Sequence, residues 1–235
     1  MTTPPPIRSA ATVIVVRDGA DGLETLLLRR HSDIAFHGGS WVFPGGRIDG
    51  ADYGATEVPT DRMDDGHGPA ARVAAVREAQ EEAGLDLDPA ALVPFSHWTT
   101  PALLVKRYAT WFFVSSAPVG EVVVDGGEIT DHRWMLPTAA LAARDAGEIE
   151  LPPPTYVTLT RLARSATVAD VLADAAAAPY VRFEPHIRGV EGGFVSIYAG
   201  DVAYADESLF DADGPRHRLY AVNPAWRYES SPTPT

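Results

Sequence analysis

The amino-acid sequence predicts an α/β fold, strands and helices interleaved along one domain, followed by a β-rich C-terminal extension. Three observations carry that prediction. Short runs rich in Val, Leu, Ile, Trp and Phe recur up to residue 135. A stretch with helical periodicity separates the early runs from the later ones. From residue 181 onward the pattern becomes strand-like alternation broken by glycine turns.

Taken in order, residues 1–8 are Pro-rich and are expected to form a disordered tail, as are residues 229–235. Residues 11–17 and 23–30 read as two strands joined by the turn Asp18-Gly19-Ala20-Asp21-Gly22. Residues 40–43 are short and apolar and end in Pro44-Gly45-Gly46. Residues 49–69 are rich in Asp, Gly, Pro and Thr without periodicity, so they read as a long inserted loop, and loops of that length inside a domain usually carry function. Residues 69–83 give the strongest helix: Val76, Ala79 and Ala83 form an apolar stripe, with Glu78, Glu81 and Glu82 in a roughly 100° arc opposite. Gly84 supplies the C-cap. Residues 91–99, 108–115 and 129–135 read as strands, and residues 137–146, 156–164 and 168–177 as helices. Gly189, Gly192-Gly193 and Gly200-Asp201 punctuate the strands that follow. The expected organisation is a main domain at 9–178 and a β-rich extension at 179–228 that offers a pairing surface, with a homodimer as its consequence.

Composition removes several classes of function. Without cysteine there is no disulfide, thiolate zinc site or cysteine nucleophile. The seven histidines are scattered with no pair at metal spacing, which argues against a histidine–zinc site. No stretch reads as a secretory leader or as 18 consecutive apolar residues, so a cytoplasmic protein is expected, with no membrane partner. A net charge of -13 argues against a broad surface for polymeric nucleic acid or anionic lipid, while leaving room for a small anionic ligand held through a metal ion. The Gly-rich Rossmann, phosphate-loop and Gly-x-Ser-x-Gly signatures are all missing.

The most informative segment is Arg77-Glu78-Ala79-Gln80-Glu81-Glu82-Ala83-Gly84-Leu85. Its three acids sit at helical spacings of three and four, where like charges repel by a few tenths (~0.2–0.5) of a kcal/mol per pair. They also crowd the negative end of the helix dipole, which disfavours each anion by roughly 0.3–1 kcal/mol. Only Arg77, four residues before Glu81, compensates locally. A divalent cation would reverse the sign of the arrangement; a solvated helix face is the plainer alternative.

Set beside Gly46-Arg47-Ile48-Asp49-Gly50-Ala51-Asp52, this segment resembles the Nudix box, whose second half it matches at every specified position. The first half departs: Asp52 stands where the family has Glu, and 24 residues separate it from Arg77 where seven are expected, so Asp52 reads as a loop acid. The resemblance implies a Nudix-type α/β/α sandwich that hydrolyses a nucleoside diphosphate linked to another group, using Mg²⁺ or Mn²⁺. By position it makes Glu78 and Glu82 the prime metal ligands. Glu81 becomes a third ligand or the water-activating base, and Arg77 the residue that orients a carboxylate. A further acid from a downstream loop is expected at Glu128, with Glu121 and Asp131 as competitors. Gly45, Gly46 and Arg47 belong to the substrate-binding turn.

A looser resemblance concerns the substrate. Leu26-Leu27-Leu28-Arg29-Arg30, Gly39 and Phe43-Pro44-Gly45-Gly46 are similar to part of the coenzyme A diphosphatase signature, although His31 and Ala35 replace its serine and arginine. Arg29 and Arg30 are thereby candidate substrate contacts, as is Arg107, which with Lys106 stands near Trp98 and Tyr108 and could meet phosphates beside a stacked base. The expected partner is a small nucleotide pyrophosphate, coenzyme A or acyl-coenzyme A first among them. Nucleotide sugars, dinucleotides and oxidised nucleotides are the alternative, and a nucleotide sensor without turnover is the alternative from another class.

Overall fold

The computed structural model describes residues 6–33, 37–55 and 68–231. Most of both expected tails, residues 56–67 of the expected insertion and Ala35 lie outside the described residues. The chain forms a mixed eight-stranded sheet and a second, antiparallel four-stranded sheet. The first sheet contains β1 (Ile7–Gly19), β2 (Gly22–Arg30), β3 (Trp41–Val42), β4 (Gly45–Arg47), β5 (Val93–Thr99), β6 (Arg107–Ser116), β7 (Ile129–Met135) and β8 (Val181–Phe183). Its spine runs β3-β2-β1-β6-β5-β8, with β4 paired to β1 and β7 paired to β2. The four helices are α1 (Gly68–Ala83), α2 (Pro137–Asp145), α3 (Pro153–Leu162) and α4 (Val168–Ala177).

Alternation along β1 builds the sandwich. Ala11, Val13 and Val15 pack beneath the alanines of α1, whereas Ile14 and Val16 face the opposite core with residues of α2, α3 and α4. Side chains two apart on a strand share a face, so a single strand feeds both layers. α1 can lie close to the sheet because its inner face is Ala71, Ala74, Ala75, Ala79 and Ala83. Gly84 ends it with φ +67°, its N–H donating to Gln80 O at 3.0 Å, the αL form of C-cap that glycine accommodates without a Cβ penalty, while the N–H of Leu85 donates to Ala79 O at 3.2 Å.

The structure corrects several sequence expectations. Ile7 and Arg8 are strand residues because β6 pairs with them in parallel, opposite Arg107 and Tyr108. Glu229 and Ser230 belong to β12 (Arg227–Ser230) through pairing with Arg218 and His217. α3 begins at Pro153, three residues earlier than expected, since prolines in a first helical turn forgo only N–H groups that lack intrahelical partners. The expected stripe on α1 is buried at Ala79 and Ala83 and half-buried at Val76; Ala71, Ala74 and Ala75 widen it, and Glu82, expected on the opposite arc, lies among the buried alanines.

The second sheet, ordered β12-β11-β10-β9, adds β9 (His186–Val190), β10 (Gly193–Ile197) and β11 (His217–Val222). The chain reaches it only after β8 has returned to the first sheet, parallel to β5. Much of its apolar surface is used within the chain, since Tyr198, Leu219 and Ala221 join the main core. Among the described residues no helix is long and apolar enough to cross a membrane.

Candidate active site

β4 and α1 meet where β1 carries the Gly45-Gly46 segment: Thr12 pairs with Gly45, Ala11 with Gly46 and Ala10 with Arg47. Both glycines are required by close approach. A Cβ on Gly45 would sit 2.5 Å from the backbone oxygen of Ala11 and 2.7 Å from Cα of Thr12, and one on Gly46 would overlap the carboxylate of Glu78. The obstacle to the first is fixed backbone, while the obstacle to the second is the end of a side chain. Gly45→Ala is therefore expected to destabilise by about 1–3 kcal/mol. Gly46→Ala is expected to melt close to wild type while its turnover falls up to about a hundredfold, because Glu78 is displaced by something near 1 Å. Thermal melts beside initial rates on one pyrophosphate check this; equal stability losses in the two variants would contradict it.

Arg77 is the hub of the site. Its Nε and Nη2 grip Asp52 at 3.1 Å each, Nη1 donates to Glu78 at 2.9 Å and to Glu81 at 3.0 Å, and Nη2 reaches the carbonyl of Arg47 at 3.0 Å. Asp52 is the main departure from the sequence reading. Far from being a loop acid, it is 7 % exposed, sits in a 3-10 turn at Gly50–Tyr53, and accepts from Asp49 N at 2.8 Å besides clamping Arg77. Asp52 holds the guanidinium in place, and the guanidinium orients Glu78 and Glu81.

Glu82 is 5 % exposed and accepts from the N–H of Gly45 at 2.9 Å. Burial pushes its carboxyl up to about 8; the Gly45 N–H and Arg30 oppose the shift, and the charges of Glu78 and Glu128 add to it. Burial also pushes Glu78 upward, against the pull of Arg77 and with the charges of Glu81 and Glu128 behind it. Arg77 is held firmly protonated, first by its hydrogen bond to Asp52. Four carboxylates thus gather at one place with too little positive charge to neutralise them. Among the described residues no three acidic or histidine side chains already converge as a cation cage, since Glu78 and Glu81 lean on Arg77 and Glu82 on Gly45. Their donor chemistry nonetheless fits a hard divalent cation: carboxylate oxygens whose excess charge only a cation would offset.

A cavity of about 1540 Å³ opens over these residues. Gly45, Gly46, Arg47, Arg77, Glu78 and Glu81 line it at one end, together with Arg30 and Glu128, whose side chains approach to 3.4 Å. Glu82 lies beneath that lining. Arg30 has an enclosed Nε without a partner among the described residues. Other candidates fall outside the cavity. Arg29 is exposed and does not line it, the β-bulge between Arg29 and Arg30 separating the two neighbours. Arg107 turns to the carbonyl of Thr100 at 3.3 Å, leaving Lys106 and Tyr108 to face the cavity. Neither Glu121 nor Asp131 lines it. Trp98 is 5 % exposed, stacks on Phe183 with centroids 3.9 Å apart, and touches the cavity from within the core.

Comparison with known proteins places these features in company. The family model described as the NUDIX domain matches residues 6–153. The chain is similar to the acyl-coenzyme A diphosphatase NUDT19 of Xenopus laevis, 28% identical over 57% of this chain and 37% of that protein. It is also similar to the same enzyme of Homo sapiens, 26% identical over 81% of this chain and 75% of that protein. The chain thus spans little more than a third of the Xenopus relative's length. Among solved structures, a NUDIX hydrolase from Alicyclobacillus acidocaldarius superposes with a TM-score of 0.63 at 25% identity, over 74% of this chain and 99% of that one.

Proposed function

The chain belongs to the NUDIX family of pyrophosphohydrolases, and from that premise we propose that it hydrolyses the pyrophosphate bond of coenzyme A or an acyl-coenzyme A with the help of Mg²⁺ or Mn²⁺. The observation that carries the reading is the gathering of Glu78, Glu81, Glu82 and Glu128 around the Gly45-Gly46 turn, with Glu82 kept in a buried position that disfavours its charge. The similarity to acyl-coenzyme A diphosphatases supports the substrate class.

In this reading Glu78 and Glu82, with Glu81 as a third ligand or as the base, hold the cation, which supplies neutralisation of phosphate charge and activation of water. The protein's own residues do the rest. Asp52 fixes Arg77, and Arg77 keeps Glu78 and Glu81 from drifting into solvent. Gly46 leaves the space that the Glu78 carboxylate occupies. Arg30 and Arg47 meet phosphate oxygens from the cavity wall, where a guanidinium can bind in the bidentate manner. Glu81 or Glu128 takes the proton of the attacking water, within reach of solvent so that it can be passed on.

The test is a panel of coenzyme A, acyl-coenzyme A, ADP-ribose, a dinucleoside polyphosphate and nucleoside triphosphates, assayed with Mg²⁺ and then Mn²⁺. The expected result is cleavage of coenzyme A-type substrates to two phosphomonoesters. Preference for another pyrophosphate would move the substrate class. Tight binding of one member without turnover of any would make the protein a sensor.

A further inference from the structure

The cavity is larger than the reaction requires. Its volume of about 1540 Å³ exceeds the roughly 300–1,000 Å³ of pockets that enclose drug-sized ligands. Its lining extends beyond the carboxylates to the start of α3 and to the second sheet. Pro152, Pro153 and Pro154 form one side, and Ile187 of β9, Phe194 of β10 and Trp226 before β12 form the other. The residues that line the remote end are therefore ones that the family match at 6–153 covers only in part.

Building on the pyrophosphohydrolase reading, we propose that this second-sheet wall is a subsite for the group beyond the pyrophosphate, and that the group it takes is an extended, largely apolar, uncharged chain. The wall's chemistry selects that occupant. Phe194 and Trp226 pack edge-to-face at 6.4 Å, presenting aromatic surface beside the three proline rings. The Arg144 guanidinium beside this wall is already consumed: it lies over the Trp226 ring at 3.9 Å and donates to Asp145 at 2.9 Å, Asn223 at 2.9 Å and the carbonyl of Pro224 at 2.8 Å. It does not invite a further phosphate. The enclosed indole Nε1 of Trp226 on this wall has no partner among the described residues. A chain of methylenes interrupted by an occasional amide suits a surface of this kind, largely apolar and edged by Thr155, Ser196 and Asn223, with the Trp226 indole as a donor that a small shift of the ring would offer. Leu103 and Leu104, apolar and well exposed, rim the same cavity.

The experiment compares a short polar substrate, ADP-ribose, with coenzyme A and acyl-coenzyme A of increasing chain length, in the wild type and in Phe194→Ser and Ile187→Asp. Two variants are used because Phe194 also packs against the core and its loss could loosen the sheet; melting curves identify that outcome. The preference for long-chain substrate over ADP-ribose, as the ratio of kcat/KM, is expected to fall by at least about tenfold in Ile187→Asp, through KM. Calorimetry in EDTA gives a readout without catalysis: the metal-free protein should bind acyl-coenzyme A more tightly than ADP-ribose, and the variant should lose that difference. Equal affinity for both ligands in the wild type, or an equal loss for both in the variants, overturns the subsite; the equal loss would mean that the wall stacks the nucleotide base instead. Preferential binding without turnover supports the subsite and removes the hydrolase reading. Turnover without preference does the reverse.

Discussion

Glu82→Gln is expected to lower turnover by more than about a hundredfold, because replacing groups that merely support a metal ligand already costs 10–100-fold, while making the metal-free protein harder to unfold. The two effects share one cause. The glutamate is 5 % exposed, and burial, with Glu78 and Glu128 nearby, pushes its carboxyl up to about 8. A glutamine retains the acceptor for the Gly45 N–H and carries no charge to desolvate. The sign follows from linkage. The folded state binds the Glu82 proton more tightly than the unfolded chain does, so this group's contribution is fully present below the ordinary glutamate range and is lost as the pH rises towards 8. The variant's advantage should therefore be larger at pH 8 than at pH 5, and added Mg²⁺ should stabilise the wild type more than the variant. Melting curves at both pH values, with and without Mg²⁺, check it. A variant less stable than wild type at pH 8 in EDTA, or one retaining near-normal turnover at saturating Mg²⁺, would sink the assignment of Glu82.

The largest effect on stability is expected far from the carboxylates, in Arg218→Met. Arg218 and Asp201 have side chains 1% and 0% exposed, and the guanidinium grips both carboxylate oxygens, at 2.5 and 2.7 Å. Asp201 also accepts from the N–H groups of Ala203 and His217, tying together the loop and strand on which the second sheet is built. Removing one partner of a buried pair leaves the other charge stranded, a loss of about 3–5 kcal/mol. Burial by itself would push Asp201 up; the Arg218 hydrogen bond and the backbone N–H groups outweigh it and hold the carboxyl below its ordinary value. That contribution is present above the unfolded aspartate pKa and lost as the pH falls through the folded one. Without Arg218 the acid protonates more readily, so the penalty should shrink as the pH is lowered from 7 towards 4. Urea titrations at the two pH values measure it; an equal penalty at both would mean that lost packing, not stranded charge, dominates.

Elements with strong local signals were legible in the sequence, and contacts between distant segments were not. β7 and α4 fall at the residues expected from their apolar patterns, and α1 differs from its expected start by one residue. Gly45–Arg47 reads as a turn because glycine has no strand preference; only its pairing with Ala10, Ala11 and Thr12 makes it β4. Asp52 reads as a loop acid because 24 residues separate it from Arg77, yet spacing along the chain says nothing of spacing in space once two segments are anchored on the same sheet. The sequence places Glu82 on the arc opposite the apolar stripe, as a metal ligand by resemblance, but does not show that the helix turns this acid inward against Gly45. Arg29 and Arg30 look equivalent as a pair, and the bulge between them, invisible in composition, decides which one lines the cavity. The alternation after residue 181 was plain, but that β8 would rejoin the first sheet depends on the free edge of β5.

The parallel pairing of β1 with β6 has a consequence for how the chain is made. Ile7 lies opposite Arg107 and Val16 opposite Ser116, so the centre of the sheet joins strands about a hundred residues apart. During synthesis the β1–β2 hairpin emerges early and must wait, with one apolar edge open, until β6 leaves the ribosome. Pairings of such long range form slowly, and unpaired edges are prone to aggregate meanwhile. Mild substitutions in the apolar run of β1 should therefore show first in the yield of soluble protein, before they show in the activity of the molecules that reach the native state.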